Sequence, residues 1–573
     1  MFREDVLDEA MELEKRWKET SSRVYGGKEY KATTNSGIPL KPVYGPQDIK
    51  EMDWKDIGMP SEYPYTRGIY PMQYQLFPWV NAQIYGYGLP EDTRDRRNYM
   101  EEAGSSGYPG MLPMTAMAFD LASGQGFDPD HPRARGRVGQ CGVSISTLRD
   151  FEILFDGHPI EKMNLGFVVC DVSLIVLAMY IVYAERRGIA KEDLRGDNLN
   201  FLYKGWYTDH LAWTPGGGFK QMIELIKYCS RNMPAWNTHC VDGYDVEEAG
   251  ANAVQELAFM IAGTTYLVEE CIKVGLKPDE FLPRFSFKPA VGNDFFEEIA
   301  KIRALKRMWA KLAKERFGAT NPKAIRPRVL IQTAGSTLIA QQPLNNIVRT
   351  TLQTLAAALA GVDGMQVCTY DEPLWIPSEQ GLEMALRIQQ IIQNESNISN
   401  VGDSLGGSYY LEWLTNKLEE EGNKLLKTVE EMGYLRCCEN GWLKNEVERE
   451  ALRYRQAVDA GEKTVVGVNK FTTDEEQEVP TFSTDKIAKA TVAKAVDRIK
   501  KHREQRDNAK TDKALEDLKE VANSINDRWP DGGDLMPVLL DAVRAEATLG
   551  EMAQVLKDIF GYGEPFNQPS WGG

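Results

Sequence analysis

From about residue 60 to residue 400, short apolar runs alternate with amphipathic helical periods, and this alternation constrains the fold more than any other feature. Met114-Thr115-Ala116-Met117-Ala118-Phe119, Asn164-Leu165-Gly166-Phe167-Val168-Val169 and Arg328-Val329-Leu330-Ile331-Gln332-Thr333 are runs of strand length. Helical periods follow, as in Glu298–Phe317 and Asn346–Gly361. Strands joined through helices lie parallel, because the helix carries the chain back to the end from which the strand began. The pattern predicts a parallel α/β fold whose length suits a barrel with insertions, although alternation alone does not separate a barrel from an open sheet.

Residues 1–45 are polar and open on a charged, amphipathic helical stretch; they read as an arm that wraps a partner or the main body. Residues 46–400 read as the barrel and residues 401–573 as a mostly helical C-terminal region. Within that region 407–460 and 483–530 are charged and helical, Gly461–Lys470 reads as a strand bounded by turns, and Leu535–Phe560 reads as a final helical pair. The apolar run Leu174–Ala184 is too short to span a bilayer and reads as a buried helix. No basic stretch followed by an apolar one opens the chain, so a cytoplasmic protein without a membrane partner is expected.

A net charge of −17 argues against nucleic acid as a partner, yet a few local Arg and Lys can still hold a phosphorylated ligand. Eight cysteines without a C-x-x-C pair suggest reduced thiols. With only five histidines a multi-His metal centre is hard to build, and no metal site is expected in this chain.

The stretch Tyr65-Thr66-Arg67-Gly68-Ile69-Tyr70-Pro71-Met72-Gln73-Tyr74, with Pro78-Trp79 and Gln83-Ile84-Tyr85-Gly86 after it, closely resembles the signature of the adenosylcobalamin-dependent acyl-CoA mutases, the methylmalonyl-CoA mutase family. The resemblance continues in order through Phe119-Asp120-Leu121, Leu154-Phe155-Asp156-Gly157, Glu248-Ala249-Gly250-Ala251, Pro283-Arg284-Phe285-Ser286-Phe287, Asn345–Thr350 and Gly406–Tyr410 to Asp534-Leu535-Met536-Pro537. It implies a (β/α)8 barrel with an acyl-CoA threaded along its axis, and a radical 1,2-rearrangement for which the cofactor supplies the reactivity. The family motif whose His ligates cobalt is not found: Asp156-Gly157-His158-Pro159-Ile160-Glu161 ends in Glu and reads as a loop. The resemblance therefore implies the large subunit of a split mutase, with adenosylcobalamin held by a small cobalamin-binding subunit. A homodimer of heterodimers and a G-protein chaperone that reloads the cofactor are further family expectations.

By the same resemblance, Glu248 and Glu372 hold the adenosyl group, since a carboxylate can accept from both ribose hydroxyls. Arg284 and Ser286 match positions that hold the CoA phosphates and pantetheine. Tyr70, Tyr74, Phe77 and Trp79 stand at the acyl-CoA entrance, Ala116 joins the acyl-CoA set, and Gln332 and Gln366 match polar positions near the thioester. Gly216-Gly217-Gly218 reads as a flexible loop, because no strand precedes it and no Lys-Ser/Thr follows.

Departures from the family pattern bear on the substrate. The family tyrosine that presses on the adenosyl group is Ile84 here, as in the 2-hydroxyisobutyryl-CoA mutase branch, and the family His near the thioester is Asp245. Phe77 and Ala82 stand where methylmalonyl-CoA mutases carry Arg, and the Arg that grips the free carboxylate aligns with Lys204. A bidentate grip is not reproduced by Lys, so an acyl-CoA without that carboxylate is expected: branched, hydroxylated, or bulky and aromatic, the last on the strength of Trp206, Tyr207 and Trp213. The alternative reading is a non-catalytic scaffold subunit of such a mutase.

Overall fold

Eight short strands, all paired in parallel, carry the centre of the molecule. In the computed structural model, which describes residues 2–26, 31–105, 114–199, 212–473, 479 and 485–563, β1 runs through Val80–Asn81 and Gln83–Tyr85 with a break at Ala82. β2 is Met114–Ala118, β3 Asn164–Val168 and β4 Arg195–Leu199. β5 is Trp236–Asn237 continued by His239–Asp242, β6 is Phe285–Lys288 continued by Ala290–Val291, β7 is Leu330–Thr333 and β8 is Gly364–Gln366.

β1 to β5 pair in sequence order. The second half of β5 pairs with β6, the second half of β6 with β7, β7 with β8, and β8 returns to the first half of β1. The breaks are bends where a strand leaves one ladder and joins the next: Ala82 N–H donates to Met365 O at 2.8 Å and Thr238 N–H to Arg284 O at 3.1 Å, while Pro289 has no N–H to give. The order of neighbours returns to its start, which is the arrangement of a (β/α)8 barrel, as expected.

Side chains alternate across each strand, so the barrel has two unlike walls. Leu165, Phe167, Val241, Phe287, Ile331 and Met365 point outward and are buried beneath the helical layer. There the helix Ser173–Arg186 takes up the apolar run 174–184, and Tyr180 meets Phe167 edge-on at 5.1 Å. The inner wall instead carries Ala116, Gly166 and Asp197 in one register, Cys240 and Ser286 in another, and Gln332 beside Ala290. Barrel interiors are ordinarily filled by bulky branched side chains; here such residues, Ile84, Val168 and Leu199, gather toward the C-terminal ends, and the rest of this set is small or polar. Among the described residues no helix is long and apolar enough to cross a membrane.

Two expectations need correction. Gly216–Gly218 is not a flexible loop but the first turn of the helix Pro215–Asn232, capped by Thr214, and a Cβ at Gly217 would stand 2.5 Å from Phe560 O. Gly461–Lys470 is not a strand: Gly467 N–H donates to Lys470 O at 2.8 Å, and the Asn469 amide folds back onto Val458 O and Lys463 O, both at 2.7 Å. A β-rich composition here closes a turn because the chain has no neighbouring strand to pair with.

One buried ion network joins the barrel helices to the outer shell. Arg303 is 1% exposed and donates to Asp403 at 2.8 Å and to Glu412, while Arg67 Nε donates to the other Asp403 oxygen at 2.9 Å. Removing one partner of a buried pair leaves its counter-charge desolvated. Arg303→Ala is expected to lower stability by about 3–5 kcal/mol, read as a shift in the urea unfolding midpoint.

Candidate active site at the two ends of the barrel

At the N-terminal ends of the strands, positive charge collects around a narrow mouth. Arg195 opens β4, Arg284 immediately precedes β6, and Arg326 and Arg328 precede β7. Burial, and then the charges of Arg328 and Arg195, push the Arg284 guanidinium below its ordinary range. Arg328 is fixed by donating to Asn237 Oδ1 at 2.9 Å and to Phe285 O at 3.0 Å. Arg326 lies over the ring of Tyr70 at 5.9 Å, and Tyr70 is 47% exposed at this mouth. Asp363 and Asp197 offset part of the Arg328 charge, and Arg284 feels the like charges of Arg328 and Arg195, which an anion at the mouth would relieve.

The signature segment earns its shape from hydrogen bonds that spacing alone does not display. Thr66 Oγ1 donates to Asp56 O at 2.7 Å, Arg67 reaches Asp403, and the Gln73 amide donates to Arg67 O while its oxygen accepts from Asp403 N–H at 2.9 Å. This lattice holds Tyr70 at the rim and Tyr74 against β8, where its hydroxyl donates to Val362 O at 2.6 Å. Phe77 is exposed. Trp79 differs from the expectation for the entrance: it is 1% exposed, donates to Gln389 at 3.2 Å and packs edge-on beneath Tyr74. Its neighbour Val80 begins β1, and strand parity turns the indole to the helical layer.

At the C-terminal ends two carboxylates converge. Glu248 closes the helix Tyr244–Glu248 that follows β5 and accepts from Ser336 N–H at 2.9 Å. A Cβ at Gly335 would come within 3.1 Å of its carboxylate, so glycine permits this approach. Glu372, beyond β8, has its carboxyl pushed up to about 7, first by burial and then by the charge of Glu248. Glu248 is also held above the ordinary range, by burial and by neighbouring Asp245. Asp245 is buried and receives its place from Asp242, whose Oδ2 accepts the Asp245 N–H at 3.3 Å. A cleft of about 430 Å³ opens here, bordered by Ile84, Gly86, Gln366, Glu372 and Trp375. Gly86, at φ +148°, ends β1 so close to β2 that a Cβ would stand 2.2 Å from Ala118 O.

Between the two ends lies the inner wall. Ala116 packs with Ile84, Leu199 and Cys240. Ser286 Oγ is 3.5 Å from Asp197, whose carboxyl burial pushes up to about 7. Gln332 Oε1 accepts from Lys288 Nζ at 2.6 Å. Arg195, Arg326, Arg328, Asp197 and Lys288 were not singled out by sequence reasoning. The available signal was position: each arginine stands at, or up to four residues before, the first residue of a strand. Lys204, Trp206 and Tyr207 lie outside the described residues, and Trp213 is a core residue whose indole donates to Asp171 O at 3.0 Å. His158 falls in the turn leading into β3, at the end of the barrel opposite the paired carboxylates.

The methylmalonyl-CoA mutase family model matches residues 33–562. The chain is 36% identical over 533 residues to the 2-hydroxyisobutanoyl-CoA mutase large subunit of Aquincola tertiaricarbonis, a match covering 92% of each chain. It is 34% identical over 566 residues to the mitochondrial methylmalonyl-CoA mutase of Bos taurus, covering 98% of this chain and 73% of that one. It is 34% identical over 550 residues to the methylmalonyl-CoA mutase of Cereibacter sphaeroides, covering 95% and 75%. On this evidence the chain is an isomerase of the acyl-CoA mutase type and belongs to the methylmalonyl-CoA mutase family.

Proposed function

We propose that this chain is the substrate-binding large subunit of an adenosylcobalamin-dependent mutase acting on an acyl-CoA without the usual free carboxylate: branched, hydroxylated or bulky. One observation carries the reading: an arginine-rich mouth and a pair of desolvated carboxylates stand at opposite ends of one barrel, joined by an inner wall that is polar at Asp197, Ser286, Lys288 and Gln332 and apolar around Ala116. A long ester with phosphates at one end and a reactive acyl group at the other fits that polarity. The match over 92% of a relative that is itself a large subunit supports a separate cobalamin-binding small subunit as partner. A homodimer of such heterodimers and a G-protein chaperone complete the proposed assembly.

Glu248 and Glu372 fit the adenosyl group, because carboxylates whose pKa values burial raises offer acceptors to ribose hydroxyls and recover the hydrogen bonds that burial removed. When bound, the cofactor supplies the homolytic chemistry that lets two groups change places on neighbouring carbons. The chain's own work is placement: the mouth arginines hold the phosphates, Gln332 and Gln366 present amides to the ester, and Ile84 shapes the cleft above it. The walls exclude water from the reacting carbons.

The first test assays this chain with its small subunit, adenosylcobalamin and a panel of acyl-CoA esters, following isomer formation together with a substrate-dependent paramagnetic signal. One ester is expected to give both. Glu248→Ala is expected to cut turnover by about 10²-fold or more with an unchanged circular dichroism spectrum, since a misplaced adenosyl group forfeits alignment. Near-normal turnover would remove Glu248 from the cofactor site.

Glu372 makes binding pH-dependent. Its folded pKa lies near 7 against an ordinary 4.5, so its contribution to stability is present below pH 4.5 and lost as pH rises through 7. The ionised form accepts from both hydroxyls, so cofactor binding releases a proton. Affinity for adenosylcobalamin should therefore rise by about tenfold in all between about pH 6 and about pH 8 and level off above that, and the rise should be lost in Glu372→Gln. A pH-independent Kd in the parent complex would contradict this.

Ile84→Tyr fills the cleft with a ring and a hydroxyl. Turnover of the native ester is expected to fall by about tenfold or more, and parent-like kinetics would show that Ile84 does not select the substrate.

A further inference from the structure

Along β6, every second residue from Arg284 onward faces the barrel axis. Arg284 stands at the mouth, Ser286 follows beside Asp197, and Lys288 comes last. At about 3.3 Å of rise per residue, Lys288 lies about 13 Å further along the strand than Arg284, or about 11 Å along the axis of a barrel whose strands tilt by about 36°. It is 4% exposed, and its position in a barrel wall is one that hydrocarbon ordinarily fills.

Lys288 is anchored at the end where the cofactor carboxylates meet. Its ammonium donates to Gln332 Oε1 at 2.6 Å, and the Gln332 amide nitrogen lies 3.6 Å from Cys368 Sγ, which in turn donates to Thr333 O at 3.0 Å. The ammonium also sits 5.2 Å from the centre of the Tyr244 ring. Tyr244 begins the helix that ends in Glu248, and the charges of both Glu248 and Glu372 reach its hydroxyl. Asp242 stands in register beside Lys288 and the Lys288 charge reaches Asp197, so the cation is compensated and held in place, and an ammonium with three protons so held is placed to donate one to a group entering the axis.

We propose that Lys288 is a specificity-determining residue that donates a hydrogen bond to an oxygen substituent on the acyl group, so that the enzyme selects oxygen-bearing acyl-CoA esters, of the hydroxyacyl kind, over hydrocarbon ones of the same skeleton. The argument rests on the acyl-CoA reading above: an ester whose phosphates lie at Arg284 and whose chain passes Ser286 brings its acyl end to Lys288.

The test measures calorimetric Kd values for 2-hydroxyisobutyryl-CoA, isobutyryl-CoA and CoA itself, with the full chain and its small subunit. The parent is expected to favour the hydroxylated ester over isobutyryl-CoA by about tenfold or more. Lys288→Met should reduce that preference to within about twofold while leaving the Kd of CoA itself, held at the opposite mouth, unchanged, which also certifies that the variant is folded. If Lys288→Met is not folded, Lys288→Gln, which keeps a shorter neutral donor, is read in the same way and should lose most of the preference. A preference retained in the variant, or absent from the parent, overturns the role of Lys288. Failure of CoA and both esters to bind the parent would overturn the acyl-CoA reading itself, a result distinct from either.

Discussion

The site depends on the alternation of side chains along strands of three to seven residues, arranged in a ring of eight. Because neighbouring strands are in parallel register, one choice of face propagates around the whole barrel. Leu165, Phe167, Phe287 and Met365 must then all face the helices, and Gly166, Ser286, Lys288 and Gln332 must all face the axis. The apolar core and the ligand path are two sides of the same backbone. A one-residue slip in any strand would exchange them, placing a charge among the helices and an aromatic ring across the path. The bends at Ala82 and Pro289 preserve this parity while the strand changes neighbours, whereas the bend at Thr238 takes up one extra residue, so that Asn237 and Cys240 both face the axis.

A chain of net charge −17 has still built a positive mouth, because charge is local where side chains are partly buried. Arg195, Arg284, Arg326 and Arg328 precede or open strands of the same barrel half, so the topology brings together residues spread over more than a hundred positions. The carboxylates gather at the other end by the same logic, following β5 and β8. This polarity is the one expected of βα units, whose working residues sit beyond the C-terminal ends of the strands. The mouth adds a second recognition region at the opposite end.

Much of the fold was legible in the sequence. The runs at 114–119, 164–169 and 328–333 became strands, and the apolar run 174–184 became a buried helix. The errors have physical causes. Gly216–Gly218 looked permissive, but Thr214 caps it, Pro215 fixes the first helical φ, and the close approach of Phe560 accounts for Gly217. Gly461–Lys470 has strand-forming residues but no partner strand, so local hydrogen bonds from Asn469 shape it. Trp79 reads equally well as a rim or a core aromatic until strand parity sends it outward.

By itself the sequence determined the α/β class, the family and the types of the carboxylates and the arginine that mark the two ends, because motif order and hydrophobic period are local properties of a chain. Tertiary structure alone decided which of those residues share an end of the barrel. It also decided that Arg67 and Gln73 of the signature brace a loop, and that Lys288 faces the axis beside Gln332. The reason is that contact across a barrel depends on register and closure between strands far apart in sequence. No window of neighbouring residues contains that information.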